Sequence, residues 1–376
     1  MTAPRLTALI NALPATVPFV GPEQLERARG RPFKARIGAN ENGFGPSPRV
    51  IAAMQAAVTG NWQYADPTNF ELIAAIARLH GVAPHNVVVG EGIDGLLGLT
   101  VHLAVEQGAA VVTSHGAYPT FNFHVACHGG RLIKVPYRSD REDIAALLDT
   151  ARAEHAAILY LSNPDNPMGS WWPRTEVEAL VSKLPPGTLL CLDEAYIDTL
   201  EPVDRPVIDV EHPQVLRFRT FSKAYGMAGA RVGYALGPKR LIAGFEKVRN
   251  HYGINRIGQI GALAAIEDQP YLADTVAKIA RAREIIGEQA RACGLTPLPS
   301  RASFVAIDCE ADGAYATAIL EQLLARDIFV RKPSAAGLDR TIRVSAAPDP
   351  ALEAFAAALP EAIAAAGRPG PCGKQT

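Results

Sequence analysis

The sequence predicts an α/β fold: a mainly parallel sheet covered by helices on both faces, followed by a smaller α+β unit. Three observations point to it. Short apolar runs alternate with segments of helical period as far as Leu236. Several of the runs are apolar throughout, as strands buried on both faces are. Beyond Lys239 the texture changes to long helical stretches, then to a compact mixture of strands and helices.

In chain order, helical periodicity marks 47–59, 68–80 and 92–107. Strand runs mark 86–89, 109–113, 131–135, 156–161, 188–192, 215–219 and 231–236. The strand Val87-Val88-Val89 feeds Gly90-Glu91-Gly92-Ile93-Asp94-Gly95, a glycine-rich turn into the apolar helix Leu96 to Val105. Backbone N–H groups at such a helix start form an anion site. His124, Cys127 and His128 share one face of a following helix in a metal-ligand-like set, but no fourth ligand is near, so packing is expected and no metal. The run Ala157 to Leu161 ends at Ser162-Asn163-Pro164-Asp165-Asn166-Pro167-Met168-Gly169, where repeated Asn-Pro and a Gly fix a turn. Thr188-Leu189-Leu190-Cys191-Leu192 lies between Pro-Pro-Gly and the acidic pair Asp193-Glu194, a buried strand presenting a carboxylate at its C-terminal end. After Lys239 helical stretches reach about Ala292. Ser303–Ile307, a helix at 313–325, Ile328–Arg331, Thr341–Ser345 and a final Ala-rich helix make the smaller module.

These textures divide the chain into an N-terminal segment (1–35) packing with the small unit, a large unit (36–250), a small unit (251–365) and a disordered tail (366–376). With 376 residues and 48% hydrophobic content the chain can bury a sizeable core. A formal net charge of −1 offers nothing to recruit nucleic acid or an anionic membrane. No apolar run approaches the ~20 residues a membrane helix needs. The N-terminus, with one arginine and an apolar patch broken by Asn11 and Pro14, is a poor signal peptide. The cysteines at 127, 191, 293, 309 and 372 are odd in number and scattered, which fits a reducing cytoplasm.

The chemistry concentrates in Arg219-Thr220-Phe221-Ser222-Lys223-Ala224-Tyr225-Gly226-Met227-Ala228-Gly229-Ala230-Arg231. An amine among small residues can form a Schiff base with an aldehyde. The neighbouring hydroxyls and the Arg231 fork can grip a phosphate on the same molecule. Pyridoxal phosphate carries both groups. A carboxylate at the end of a sheet strand, Asp193, can keep the pyridine nitrogen protonated, which makes the ring an electron sink. Glu194 is the alternative partner, and an Asp capping the next helix is the plainer reading. A solvated surface lysine is likewise the plainer reading of Lys223 alone.

Together these residues resemble the fold-type I pyridoxal-phosphate-dependent aminotransferases, in particular the histidinol-phosphate aminotransferase-like branch, from about Asn11 to about Ala365. The resemblance implies a three-layer large domain of the PLP-dependent transferase type I kind plus a smaller α+β domain. Ser162 to Gly169 looks like the family's Asn-Pro-x-Asn-Pro-Thr-Gly loop, with Met168 where Thr is usual, and implies that Asn166 bonds the cofactor's phenolic oxygen. Asp193-Glu194-Ala195-Tyr196 matches Asp-Glu-Ala-Tyr, implying Asp193 on the ring nitrogen and Tyr196 on that same oxygen. Ser222-Lys223 is the Schiff-base pair and Arg231 the phosphate arginine. Gly116-Ala117-Tyr118-Pro119-Thr120-Phe121 implies that Tyr118 stacks on the pyridine face. Ile93 stands where Ser or Ala is usual before Asp94, so contact there is expected from backbone N–H groups. Tyr64 matches a family tyrosine that reaches the phosphate of the other subunit, and the resemblance implies a homodimer with shared sites. Ile37-Gly38-Ala39-Asn40-Glu41-Asn42 resembles the Asn-Glu-Asn segment at the substrate mouth, with Gly43 in place of Pro.

The family reaction moves an amino group between a small-molecule donor and a 2-oxo acid such as 2-oxoglutarate. Lys223, once displaced, is the natural proton carrier. Arg343 matches the arginine that grips the α-carboxylate, and Arg331 a second arginine suited to a phosphate or side-chain acid. Phe19 stands where the histidinol-phosphate enzymes carry a tyrosine for the substrate phosphate, and Val344-Ser345-Ala346-Ala347 replaces Ile-Thr-Val-Gly. Aromatic amino acids are therefore alternative substrates, and decarboxylation of a phosphorylated amino acid an alternative reaction. A non-catalytic protein that binds the cofactor is the remaining alternative; no DNA-binding module is expected beside the pocket, since the first forty residues are broken by prolines.

Overall fold

A computed structural model of the chain describes residues 4–15 and 20–367. Phe19 and most of the expected tail lie outside the described residues. The N-terminal segment holds α1 (Ala8–Ala12), α2 (Pro22–Arg29) and the short strand β1 (Ala35–Arg36). Proline opens α2 and α3 (Pro48–Ala57), where its missing N–H is one that a helix start leaves unpaired anyway. The Ser47 hydroxyl accepts from the Val50 N–H to cap α3, and Gly81 at φ 63° ends α4 (Phe70–His80).

The strands β2 (Val87–Gly90), β3 (Ala110–Ser114), β4 (Arg131–Val135), β5 (Ile158–Ser162), β6 (Leu189–Asp193), β7 (Val215–Thr220) and β8 (Gly233–Leu236) form one sheet. Its order is β2-β8-β7-β6-β5-β3-β4. The expected mainly parallel sheet is present, and among the described residues β8 alone runs against it, between β2 and β7. The edge strand β4 exposes Arg131 and Lys134, charges that discourage pairing with another edge.

The central strands are apolar on both sides because each side meets a helical layer. Ile158, Tyr160 and Cys191 pack with α5 (Gly92–Ala104), α6 (Pro119–His128) and α9 (Lys239–Phe245). Leu159, Leu161, Leu190 and Leu192 pack with α7 (Ile144–Ala153) and α8 (Arg174–Ser182). The two-residue period of a strand divides each run between the layers. A third cluster joins α3, α4 and α10 (Arg256–Ile266) to β2 and β8 through Val50, Ile76, Val89, Tyr234 and Ala262.

The second core joins Ala35 and Ile37 to Ile279, within α11 (Gln269–Ala292), and takes in Ile307, Leu323, Val344 and Phe355. There β9 (Thr296–Pro297), β10 (Phe304–Asp308) and β12 (Thr341–Ser345) form an antiparallel sheet backed by α12 (Gly313–Ala325) and α13 (Asp349–Ala366). The N-terminal segment is tied to this unit: β1 pairs in parallel with β11 (Ile328–Phe329), and Asp327 faces Arg29, Arg31 and Lys34. No helix among the described residues is long and apolar enough to cross a membrane.

Candidate active site

After β3 the chain moves outward to β4, then returns to β5 on the other side of β3. That reversal of strand order opens a crevice at the C-terminal strand ends, where open α/β sheets take their ligands. Tyr118 follows β3, Asn166 follows β5, Asp193 ends β6 and Lys223 follows β7. All four line one cavity of about 250 Å³, with Ile93, Asp94, Tyr196, Ser222 and Arg231. Its wall also includes Glu41, Tyr160, Ser162 and Thr220.

The Lys223 Nζ donates to the Asn40 carbonyl at 3.0 Å. Burial, reinforced by the Arg343 and Arg231 charges, brings its pKa down to about 8. Asp193 is 5% exposed. Its Oδ2 accepts from the Tyr160 hydroxyl at 2.6 Å and its Oδ1 from the Ala195 N–H at 2.9 Å. Burial lifts its pKa to about 6, against the pull of the Tyr160 hydrogen bond and the Lys223 charge. Glu194 is committed elsewhere. Arg217 and Arg219 each reach it at 2.8 Å, and together they more than offset the effect of burial, leaving its carboxyl below the ordinary value.

At the other end of the cavity the first turn of α5 meets Arg231. A Cβ on Gly92, which sits at φ 75°, would lie 2.7 Å from the Arg231 Nη2, so a side chain there would have to displace the guanidinium and would strain the left-handed backbone. Arg231 is itself left-handed, φ 56°. Unpaired helix N–H groups beside a guanidinium make a cup for a phosphate. The Ser222 N–H donates to the Thr220 hydroxyl at 3.0 Å, fixing the turn before Lys223.

Asn166 sits on a loop braced from within by Asp165, whose Oδ2 accepts from the Met168 N–H at 3.1 Å and whose Oδ1 accepts from the Tyr137 hydroxyl at 2.9 Å. The Asn166 Oδ1 accepts from Arg343, which arrives from β12 of the second unit. The Arg343 Nε is buried with no partner, and burial lowers its pKa to about 10. Tyr196 accepts from the Asn40 Nδ2 at 3.0 Å. Arg331 pairs with Arg343 through the backbone and donates to the Val20 carbonyl at 2.9 Å. Tyr64 is not part of this wall: it is 79% exposed, its ring 4.7 Å from that of Tyr252. His124 lies 3.3 Å from Asp94, and His128 packs edge-on against His102. Among the described residues no group of three or more His, Cys, Asp or Glu is placed to hold a metal ion. Sequence reasoning passed over Tyr160, since a tyrosine inside an apolar strand reads as core.

The profile of the class I and II aminotransferases matches residues 34–359. The chain belongs to that family. This aminotransferase is 52% identical to a histidinol-phosphate aminotransferase from Sinorhizobium meliloti solved with pyridoxal 5′-phosphate, over 96% of this chain and 98% of that one, with a TM-score of 0.93. It is 33% identical to the histidinol-phosphate aminotransferase of Roseiflexus castenholzii over 89% of this chain and 92% of that protein. The Moorella thermoacetica enzyme of the same name is 29% identical over 96% and 94%. Thermus thermophilus aspartate aminotransferase, 22% identical with a TM-score of 0.76 over 95% of this chain and all of that one, shares the fold. The chain is a pyridoxal-phosphate-dependent transaminase of the histidinol-phosphate aminotransferase-like kind.

Its cavity fits the cofactor: a partly buried amine, a buried carboxylate and a glycine-shaped cup under Arg231 lie around one space.

Proposed function

We propose that this aminotransferase moves an amino group between an amino-alcohol phosphate of the histidinol phosphate type and a 2-oxo acid such as 2-oxoglutarate. The 52% identity to the Sinorhizobium meliloti enzyme over nearly the whole of both chains carries the reading. A pair of arginines supports it. Arg343 has an unpaired Nε for a carboxylate, and Arg331 beside it suits a phosphate or a side-chain acid.

Pyridoxal phosphate, when bound, supplies an aldehyde and a protonated ring that draws electrons. Lys223 would anchor it through Nζ, and the lowered pKa leaves more of that amine neutral near pH 7 than an ordinary lysine has. Once free, the same Nζ would take the proton leaving the substrate Cα. Asp193 would face the ring nitrogen, Asn166 and Tyr196 the phenolic oxygen, and Tyr118 the ring face. Arg231, Ser222 and the backbone N–H groups of Ile93 and Asp94 would hold the phosphate. Asn40 would steady Tyr196 and receive the Lys223 amine between its bonds. Phe19, the expected substrate-side residue that departs from the family tyrosine, lies outside the described residues.

Tyr64 would complete the phosphate cup of a second copy of the chain, giving a homodimer with shared sites; its exposure, with that of Trp62 (83%) and Phe70 (72%), supports the reading. A large and a small unit and a cytoplasmic location belong to the same proposal, with the boundary moved from the expected residue 250 to α11, because α10 packs into the core of the large unit. The test is a screen of amino donors and 2-oxo acids, following the absorbance change between the pyridoxal and pyridoxamine forms. Histidinol phosphate with 2-oxoglutarate should give the highest kcat/KM. A higher value for phenylalanine or tyrosine would overturn the substrate assignment.

A further inference from the structure

Tyr160 is fully buried in β5 and belongs to the cavity wall. In the register of β5 on β6, Tyr160 lies opposite Cys191 and Ser162 opposite Asp193. Tyr160 and Asp193 are therefore diagonal neighbours on one face of the sheet, within reach of a long side chain. The phenol donates to the Asp193 Oδ2 at 2.6 Å, while the Ala195 N–H donates to Oδ1 at 2.9 Å. Each oxygen thus holds one donor and keeps a lone pair for another. Rotating the carboxylate would break both bonds in a buried place, where an unmet acceptor is costly. The phenol is held in turn. Its ring stacks on Phe121 with centroids 4.5 Å apart and planes at 18°, and Phe121 lies in the first turn of α6, directly after Tyr118.

We propose that Tyr160 is the positioning residue for Asp193, fixing the direction in which the carboxylate meets the cofactor's pyridine nitrogen and keeping the shared proton on that nitrogen. The inference rests on the reading of Asp193 given above. A short O–H···O⁻ bond favours the ionised carboxylate over the neutral acid. Without it the carboxylate becomes the better base, the proton moves from the ring to the acid, and the ring draws electrons less well. Phe121 couples this to ring stacking, because one aromatic pair seats both the phenol and the helix start that carries Tyr118.

The test loads wild type, Tyr160→Phe and Asp193→Asn with cofactor labelled with nitrogen-15 in the ring. It records the ring-nitrogen resonance against pH, together with kcat and KM. Tyr160→Phe should move the resonance toward the unprotonated position and lower kcat by roughly ten- to a hundredfold, with KM within about twofold. Fluorotyrosine at position 160 has the same shape and is a stronger donor, so it should keep the ring protonated to higher pH. It also serves if Tyr160→Phe fails to fold. An unmoved resonance in the position-160 variants, with Asp193→Asn shifting it, overturns the role of Tyr160 alone. A resonance that Asp193→Asn leaves at the wild-type position overturns the reading of Asp193 itself.

Discussion

At Lys223, loss of solvent and two nearby guanidinium charges set the pH at which the amine becomes a nucleophile. Only the neutral amine attacks an aldehyde, so the rate at which apoprotein captures pyridoxal phosphate should rise with pH through about 8, well below the range of an ordinary lysine. Arg343→Met removes the larger of the two charge effects and should move that midpoint upward; an unmoved midpoint would mean the charge does not reach Nζ. Borohydride reduction and peptide mapping should place the pyridoxyl group on Lys223, and Lys223→Ala should abolish turnover. At Asp193, replacement by Asn should retain part of the cofactor affinity but cut turnover by several orders of magnitude, because an amide cannot hold the ring nitrogen protonated. Activity within about tenfold, ~1.4 kcal/mol of barrier, would place the carboxylate elsewhere. The strand-end position favours Asp193 over Glu194 in the sequence, and the structure agrees: Asp193 lines the cavity while Arg217 and Arg219 claim Glu194.

Among the elements, the turn into α5 would carry the proposed cup for the phosphate. Gly92→Ala adds a Cβ 2.7 Å from the Arg231 Nη2 in a left-handed backbone conformation that costs a non-glycine residue about 1–2 kcal/mol. Apoprotein carrying this change should keep its secondary structure by circular dichroism and bind pyridoxal phosphate about tenfold or more weakly in a titration. Equal affinity would show that the cup tolerates a displaced guanidinium. The elements are closely legible in the sequence: the run 109–113 is β3, 188–192 is β6 and 313–325 is α12, each within a residue. The run 231–236 has the pattern of a strand throughout, whereas Arg231 is left-handed and β8 begins at Gly233. The reason is the cup itself, which turns the backbone at Arg231 to bring its guanidinium over Gly92.

For the whole molecule, assembly is the open prediction. If Tyr64 reaches the partner's phosphate, the tyrosine and lysine of one site come from different chains. Mixing Tyr64→Phe with Lys223→Ala subunits then gathers both defects into one site of a hybrid dimer and leaves the other intact. Activity should rise above the mean of the two parents once subunits exchange, measured by turnover and by mass of the mixed dimer. No rise despite exchange would assign Tyr64 to its own chain or remove it from the phosphate. The apolar exposure of Trp62, Tyr64 and Phe70 also predicts that the protein elutes as a dimer.

The sequence by itself determined the order of strands and helices, because apolar runs, proline starts and glycine stops are local signals. It also determined which residue types stand at the strand ends, since the turns that carry Asn166, Asp193 and Lys223 are written in neighbouring residues. Tertiary structure alone decided the rest. Pairing of β1 with β11, insertion of β8 between β2 and β7, and the meeting of Arg343 with Asn166 join segments far apart in the chain. No local pattern encodes such contacts; they are selected by which faces can be buried together. Tyr160 shows the limit most plainly. A strand apolar on both sides hides which of its faces borders a ligand, and only packing against β6 put that hydroxyl on Asp193.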